Sequence, residues 1–229
     1  MGETEIHIGL VLFPRLTQLD LTGPFEVFAC VPNAKIHLVW KSIETVVSHV
    51  GLQILPTVTF EACPDLDVIC IPGGPGVHAL LEDEQVLTFV RRQGERARYV
   101  TSVCSGALVL GAAGLLMGYN ATTHWASMEF LPPFGATPVK ARVCVDRNRI
   151  TGGGVTAGID FGLYLAGELA DRRTAERIQL NMEYNPEPPF QAGHPDIAHP
   201  EIVEAFHDGA RAMINERRDI VMRAAARLG

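Results

Sequence analysis

Hydrophobic positions along the chain occur in two patterns, short continuous runs and longer stretches of helical spacing. The short runs are rich in β-branched and aromatic residues and are followed by turn or capping residues, which is typical of buried strands. They predict strands at residues 6–13, 36–40, 68–71 and 99–103. The other stretches predict helices at residues 24–31, 82–98, 105–116, 155–169, 173–182 and 201–228. This alternation indicates an α/β fold with a mainly parallel sheet sandwiched between helices.

The first of these helices is predicted to begin late in its segment. Gly23 can serve as the residue before the helix, and Pro24 suits the first helical position because its missing N–H is not needed there. On this interpretation Asp20 lies in a turn after the first strand and is not required as a helix cap.

Length and composition favour one folded domain. The 229 residues are 47% hydrophobic and 20% charged, which excludes a disordered chain. We expect a single domain over residues 1–229, with a proline-rich connection at 185–200 and a C-terminal helix at 201–229. No apolar run reaches the roughly 20 residues of a membrane span, and the first residues lack the features of a signal peptide, so we expect a cytoplasmic protein.

The net charge of −7 argues against nucleic acid as the main partner. The arginines near the C-terminus could suggest a DNA-binding tail, but no helix-turn-helix unit fits in so short a segment. A surface or dimer-interface helix is the preferred interpretation.

Cys104 stands out among five cysteines, an odd number that does not suggest a disulfide framework. It lies between a predicted buried strand and a helix of small residues, in the sequence YVTSVCSGALVLGAAG. This is the pattern of a nucleophile elbow with Cys in place of Ser. Because the start of a helix presents N–H groups and partial positive charge, we expect the thiol pKa to fall below its ordinary value of about 8.5.

The other four cysteines have no such position. Cys30, Cys70 and Cys144 are interpreted as small buried hydrophobic residues. Cys63, beside Pro64 in a loop, is expected to be more exposed, without a helix terminus next to it.

Two glycine-rich loops are also predicted to end strands, at residues 72–76 and 151–158. The second fits the dinucleotide pattern GxGxxA, but no suitable βαβ unit follows it. We expect the backbone N–H groups of both loops to be free of other partners and to bind developing negative charge. The supporting residues on this interpretation are Gly74, Gly153, Gly154 and Val155. The carboxyl ends of parallel strands meet at one edge, so Cys104, Asp20 and both loops should converge there, with Asp20 exchanging protons.

No metal site is expected. The eight histidines are scattered, without an HxxxH or HExxH pair, and no CxxC occurs. His124 is the one histidine that could reach Cys104, but a hydrogen-bonded structural role beside Trp125 is the simpler interpretation.

Several motifs together resemble the ThiJ/PfpI superfamily: LDLTGP, IPGG, SVCSGALVLGAAGLL, ATTHW and TGGGVTAGID. Within it, the chain is most similar to the isocyanide hydratases. That similarity depends on Asp20 in QLDLTGP, the absence of a histidine after the cysteine, THW and the segment PEPPFQAG, and it extends almost end to end.

The resemblance implies a flavodoxin-like sheet, a homodimer and no cofactor. It also implies hydration of isocyanides to N-formamides through a covalent thioimidate, with Cys104 as nucleophile and Asp20 as acid and base. Ser105 stands where the hydratases commonly have Thr, which keeps the hydroxyl and removes a methyl group. The segment from Gly153 to Val155 would pack on the nucleophile. Further pocket candidates are Thr22, His124 and Trp125.

Two alternatives remain open at this point. Other enzymes of the superfamily, the glyoxalases, deglycases and peptidases, more often carry Glu as the acid and a His near the thiol, so Asp20 and Ser105 count against them. A non-enzymatic thiol sensor or regulator is the second alternative, because a reactive thiol such as Cys104 also oxidises readily.

Overall fold

A seven-stranded sheet forms the centre of the protein in a computed structural model that describes residues 5–228. The described strands are β1 (Ile6–Val11), β2 (Ala34–Trp40), β3 (Val46–Val47), β4 (Gln53–Ile54), β5 (Val58–Thr59), β6 (Val68–Ile71), β7 (Tyr99–Val103), β8 (Asn120–Ala121), β9 (Thr137–Pro138), β10 (Val143–Asp146) and β11 (Arg149–Gly152). The large sheet has the order β10-β11-β7-β6-β1-β2-β5. Its pairs are parallel except for β10 with β11, while β3 pairs with β4 and β8 with β9 separately.

Helices flank this sheet, which confirms the predicted α/β, flavodoxin-like class. The described helices are α1 (Gln18–Phe28), α2 (Val77–Leu80), α3 (Glu84–Gly94), α4 (Gly106–Ala112), α5 (Ala157–Leu169), α6 (Arg172–Asn181) and α7 (Pro200–Ala225). Two short 3₁₀ helices lie at Trp125–Phe130 and Pro132–Phe134. One packed group contains α1, α5 and α6, and another contains α2, α3, α4 and α7.

The central strands match the hydrophobic pattern closely. Both β6 and β7 have the predicted bounds, and every residue of β6 is buried between β1 and β7. Continuous apolar runs form such strands because both faces of a parallel sheet are covered. The two-residue strands β3, β4, β5, β8 and β9 were not predicted, since two residues carry no periodic signal.

The prediction for α1 was wrong. The helix begins at Gln18, six residues before the predicted start, and Pro24 lies inside it. Pro24 has no N–H to donate to the carbonyl of Asp20, so α1 lacks one helical hydrogen bond there. At the same position α1 packs closely against α5. A Cβ added to Gly158 would lie 3.0 Å from Pro24 Cδ, so the two helices approach closely. Asp20 is consequently a buried residue of the first helical turn rather than a residue of a preceding loop.

The C-terminal part of the chain divides into an irregular segment and a long helix. Residues 185–199 form neither helix nor strand and are mostly exposed. In α7 the second half contributes Ile220, Val221 and Ala224 to the core, whereas most of the first half is exposed. Within the described residues, no helix combines the length and apolar character needed to cross a membrane.

Candidate active site

Cys104 occupies a strained turn at the carboxyl end of β7. Its φ of 55° lies in the left-handed region, which costs a non-glycine residue on the order of 1–3 kcal/mol. The Cys104 N–H donates to the carbonyls of Gly153 at 2.7 Å and Gly152 at 3.1 Å. The hydroxyl of Thr123 donates to the Cys104 carbonyl at 2.7 Å. Both peptide groups of Cys104 are therefore fixed by the neighbouring strand and by the ATTHW segment.

Asp20 approaches the same turn from the first turn of α1. Its carboxyl is fully buried, and Oδ2 accepts a hydrogen bond from the Gly73 N–H at 2.9 Å. The other oxygen, Oδ1, is buried and has no hydrogen-bond partner among the described residues. A buried carboxylate oxygen without a donor is costly, which favours the protonated form of this carboxyl group.

Gly73 lies at the meeting point of these groups. A Cβ there would be 2.6 Å from the Ser105 nitrogen and 2.8 Å from both Asp20 Oδ2 and Cys104 Cβ. The absence of a side chain at Gly73 thus lets the Asp20 carboxyl and Cys104 both approach the same residue of this loop.

Ser105 connects the nucleophile turn to the first glycine loop. Its buried Oγ accepts a hydrogen bond from the Gly74 N–H at 3.0 Å, and the Gly153 N–H donates to the Arg142 carbonyl at 2.9 Å. The interpretation of these glycine N–H groups as bare was therefore wrong. Because Gly73, Gly74 and Gly153 all donate within the protein, their N–H groups hold the site together instead of facing an open pocket.

The electrostatics of the pair also differ from the expectation. Burial, and then the Asp20 carboxylate, raise the pKa of the Cys104 thiol, and the Ser105 N–H lowers it by a smaller amount. Burial raises the pKa of Asp20 to about 7, against the opposing effects of the Gly73 N–H and the Cys104 thiol. The expected fall of the Cys104 thiol pKa was wrong in direction, because burial outweighs the partial positive charge of the helix start. At neutral pH the site holds a thiol beside a carboxyl group that can take its proton.

The remaining predicted site residues occupy different positions. His124 lies beside the second glycine loop, since a Cβ on Gly154 would be 3.6 Å from its Cδ2. Its Nδ1 accepts from the Ala126 N–H at 3.3 Å, and burial lowers its pKa to about 4, so it is neutral and structural in its contacts. Val155 and Gly154 are half-buried and precede α5, which begins at Ala157 and not at residue 155.

Thr22 and Trp125 have contacts away from the thiol. The hydroxyl of Thr22 donates back to the Gln18 carbonyl at 3.0 Å and to its side-chain oxygen at 2.9 Å. The Trp125 ring packs on Phe206 with 4.6 Å between centroids, and it lines a groove of about 610 Å³ against α7. Cys104 is not among the residues that line this groove.

The other cysteines follow the prediction in part. Cys70 and Cys144 are buried, and burial raises the pKa of half-buried Cys63 to about 11. Cys30 is exposed, contrary to prediction. Because α1 starts early and ends at Phe28, Cys30 lies beyond the helix and outside the core.

Two residues with a place in the site were missed from the sequence. Thr123 and Gly73 belong to the motifs ATTHW and IPGG, so attention to every polar or glycine position of those motifs would have found them.

No group of three His, Cys, Asp or Glu side chains within residues 5–228 has an arrangement that could hold a metal ion. The chemistry available at this edge of the sheet is that of a nucleophilic sulfur and an adjacent acid and base.

Comparisons with known proteins agree with this arrangement. The model of the DJ-1/PfpI family matches residues 7–168. The chain is 56% identical to the isonitrile hydratase of Pseudomonas putida over 223 residues, which cover 97% of this chain and 98% of that protein. It is 34% identical to the HTH-type transcriptional regulator GbdR of Pseudomonas aeruginosa over 130 residues. That aligned segment covers 56% of this chain and 35% of the regulator. The crystal structure of a ThiJ/PfpI family protein from Pseudomonas syringae superposes with a TM-score of 0.93 at 46% identity, covering 95% of this chain and 91% of that one.

Proposed function

The chain belongs to the DJ-1/PfpI family, and from this membership and its site we propose that it is a cysteine-dependent lyase that hydrates isocyanides to N-formamides. The observation that carries the proposal is the buried pair of Cys104 and Asp20, which both approach Gly73. Identity of 56% to an isonitrile hydratase over nearly the whole chain supports the choice of substrate class.

The first half of the reaction forms a covalent adduct. The thiol proton of Cys104 passes to Asp20, and Sγ attacks the terminal isocyanide carbon. Asp20 returns the proton to that carbon, so the adduct is a neutral thioimidate, R–N=CH–S–Cys104. One S–H bond breaks, one C–S bond and one C–H bond form, and no oxidant or cofactor is needed.

The second half adds water and releases the product. Asp20 takes a proton from water as the oxygen attacks the thioimidate carbon, and this proton goes to the nitrogen. The tetrahedral adduct then collapses: the hydroxyl proton leaves through Asp20, a C=O bond forms, and the C–S bond breaks. The products are R–NH–CHO and the Cys104 thiol.

Ser105 and the glycine loops are proposed as supports. The Ser105 N–H, which lowers the pKa of Cys104, is a hydrogen-bond donor toward the sulfur when it carries charge. The contact of Ser105 Oγ with the Gly74 N–H keeps the first loop, and with it Gly73 and Asp20, in register with the nucleophile. Gly153 fixes the Cys104 N–H, and Gly154 and Val155 continue this segment into α5.

Thr22, His124 and Trp125 remain candidates for contacts with the substituent on the isocyanide nitrogen. Of the three, His124 is supported best, because its ring lies next to Gly154. A neutral imidazole suits an uncharged substrate.

The assay that tests the function measures formamide released from an aryl or alkyl isocyanide. We expect turnover in the wild type and none above background in Cys104→Ala, while Cys30→Ala, which removes an exposed cysteine, leaves turnover unchanged. Full turnover in Cys104→Ala would refute the covalent mechanism. Consumption of methylglyoxal instead of isocyanide would favour a glyoxalase.

Three properties of the whole chain are proposed with this function. It acts as a single domain over residues 1–229, in which the connection at 185–200 leads into the C-terminal helix. It forms a homodimer. It acts in the cytoplasm, where a catalytic thiol stays reduced.

A further inference from the structure

The N–H side of the strained turn at Cys104 is held by a short segment, residues 141–142, which directly precedes β10. The Cys104 N–H donates to the Gly153 carbonyl at 2.7 Å, and the Gly153 N–H donates in turn to the Arg142 carbonyl at 2.9 Å. A Cβ added to Gly153 would lie 3.5 Å from the Arg142 carbonyl oxygen, so the two backbones are in close contact. Arg142 is therefore one residue removed from the nucleophile.

The carbonyl side of the same turn leads to the same segment. The Cys104 carbonyl accepts the hydroxyl of Thr123 at 2.7 Å. The preceding residue, Thr122, donates from its own hydroxyl to the Ala141 carbonyl at 2.9 Å. Residues 141–142 thus support the partners of both peptide groups of Cys104.

The position of residues 141–142 is not determined by the sheet. β10 is the outermost strand, and its last paired residue at this end is Val143, opposite Gly152. The segment lies beyond that pair, and the end of an edge strand opens readily because few contacts are lost. Side-chain contacts therefore decide how firmly the segment is held.

The Arg142 side chain supplies such contacts. Its Nε donates to Asp160 Oδ2 at 2.7 Å, and its Nη2 donates to Thr156 Oγ1 at 3.1 Å and to the Tyr184 hydroxyl at 3.4 Å. The Tyr184 hydroxyl donates to the same Asp160 oxygen at 3.0 Å. A single exposed ion pair contributes little, whereas one guanidinium with several fixed partners forms a network. This network joins the segment to the start of α5 and to the chain beyond α6.

We propose that Arg142 is a positioning residue of the active site, which acts through Gly153 to hold Cys104 in its strained turn. A residue with a φ of 55° keeps that conformation only while its surroundings enforce it. The Arg142 carbonyl holds the glycine loop, and the guanidinium holds the helix that follows this loop. The benefit for turnover rests on the proposed isocyanide chemistry, whereas the effect on the turn can be measured without any substrate.

The first test measures amide hydrogen exchange by NMR in the wild type and in Arg142→Ala. We expect the amides of Cys104 and Gly153 to exchange about tenfold faster in the variant, because the segment that holds them opens locally. The amides of β6, in the centre of the sheet, should keep their wild-type rates.

The second test measures steady-state hydration of an isocyanide. In Arg142→Ala we expect kcat to fall about tenfold, because the nucleophile is held less precisely, while KM stays within about twofold of the wild-type value. Arg142→Lys keeps a cation beside Asp160 and should recover part of the lost kcat. Adding Asp160→Asn to Arg142→Ala should cause no further loss, since both changes break the same contact.

The matched control is Arg147→Ala, at the other end of β10. The Arg147 side chain is 57% exposed, close to the 53% of Arg142, and its Nε likewise pairs with a carboxylate, that of Asp146 at 3.0 Å. This variant should keep the wild-type kcat and the wild-type exchange rates of Cys104 and Gly153.

The outcomes separate positioning from general stability. Equal acceleration of the β6 amides would show that Arg142 only stabilises the whole fold, and it overturns the proposal, as do unchanged exchange at Cys104 and Gly153 or an unchanged kcat in an active enzyme. If Arg142→Ala does not fold, Asp160→Asn alone decides: faster exchange confined to Cys104 and Gly153 supports the proposal, and uniform or unchanged exchange contradicts it. Local acceleration in a protein that hydrates no isocyanide would uphold the role of Arg142 in the turn and refute the proposed function alone.

Discussion

Three properties of the Asp20 carboxyl group together suit it to proton transfer. It is fully buried, one of its oxygens accepts a backbone N–H, and the other has no partner among the described residues. Burial dominates, so its pKa rises to about 7. A group that changes protonation near neutral pH, beside a thiol that stays protonated, is suited to carry protons in both directions.

This titration predicts the pH dependence of activity. Asp20 accepts the thiol proton only as a carboxylate, so kcat/KM should fall as pH drops below about 7 and reach a plateau above it. Asp20→Asn removes the acid and base, and we expect kcat/KM to fall by about 10²–10⁴-fold, with the inflection near pH 7 lost. Initial rates of formamide production from pH 5 to 9 measure both effects.

The control for this prediction is Asp65→Asn, which changes an exposed carboxylate paired with Arg96. It should retain the wild-type rate and inflection. An inflection that persists in Asp20→Asn would assign the titration to another group.

The same burial predicts a conflict between stability and activity. Asp20 ionises near pH 4 in the unfolded chain and near 7 in the folded protein, so its contribution to the free energy of unfolding is full below pH 4 and is lost as pH rises through 7. Asn stays neutral throughout. Asp20→Asn should therefore have a Tm close to that of the wild type at pH 4 and a higher Tm at pH 8. The corresponding gain in unfolding free energy at pH 8 is at most about 4 kcal/mol.

Thermal melts of both proteins at pH 4, 6 and 8 check the sign. The difference in Tm must widen as pH rises. A variant that is less stable than the wild type at pH 8 would show that the Asp20 carboxylate is stabilised in the fold and that its pKa is not raised.

At the scale of elements, the site depends on how closely α1, the loop after β6 and the turn after β7 approach one another. Gly73 is the contact point, because its Cα faces the Ser105 nitrogen, Asp20 Oδ2 and Cys104 Cβ. None of these three atoms lies at the far end of a long, flexible side chain, so none could move away from an added methyl group at little cost. The three elements must therefore separate if a side chain is introduced there.

Gly73→Ala should consequently impair activity more than stability. We expect a loss of about 1–3 kcal/mol in unfolding free energy from overpacking and about a 100-fold loss in kcat/KM from displacement of Asp20 relative to Cys104. Gly209→Ala, on α7, adds the same methyl group where no atom lies within 4 Å and should leave activity unchanged. Equal activity in the two variants would mean that the Asp20–Cys104 spacing is not critical.

How far the sequence could predict these elements depends on the range of the interactions that determine them. The strand ending at Val103 and the turn at Cys104 follow from local hydrophobic and small-residue patterns, and both were found. The start of α1 was missed, because Pro24 signals a helix start locally while packing against Gly158 keeps it inside the helix. The thiol pKa was misjudged for a similar reason: burial and the Asp20 charge come from the tertiary structure.

At the scale of the whole molecule, large apolar side chains remain exposed in the part of the chain that follows α5. Leu180 is 81% exposed, Phe190 78% and Ile202 56%, on α6, the irregular segment and the first half of α7 respectively. Exposed apolar groups of this size commonly mark interaction surfaces. They support the proposed homodimer and suggest that its interface includes the first half of α7.

A homodimer predicts a mass near twice 24.9 kDa by light scattering and a specific pattern of hydrogen exchange. In a monomer, the exposed residues 200–212 should exchange much faster than the buried amides of β6 and β7, because opening there disrupts few core contacts. In the dimer their protection should increase with protein concentration, whereas that of β6 and β7 should not change. Replacing Ile202 by Glu should reduce both the mass and this protection, while the exposed control Glu201→Gln should not. A mass of one chain at every concentration contradicts the homodimer, and a stable dimer with fast exchange at 200–212 places its interface on another surface.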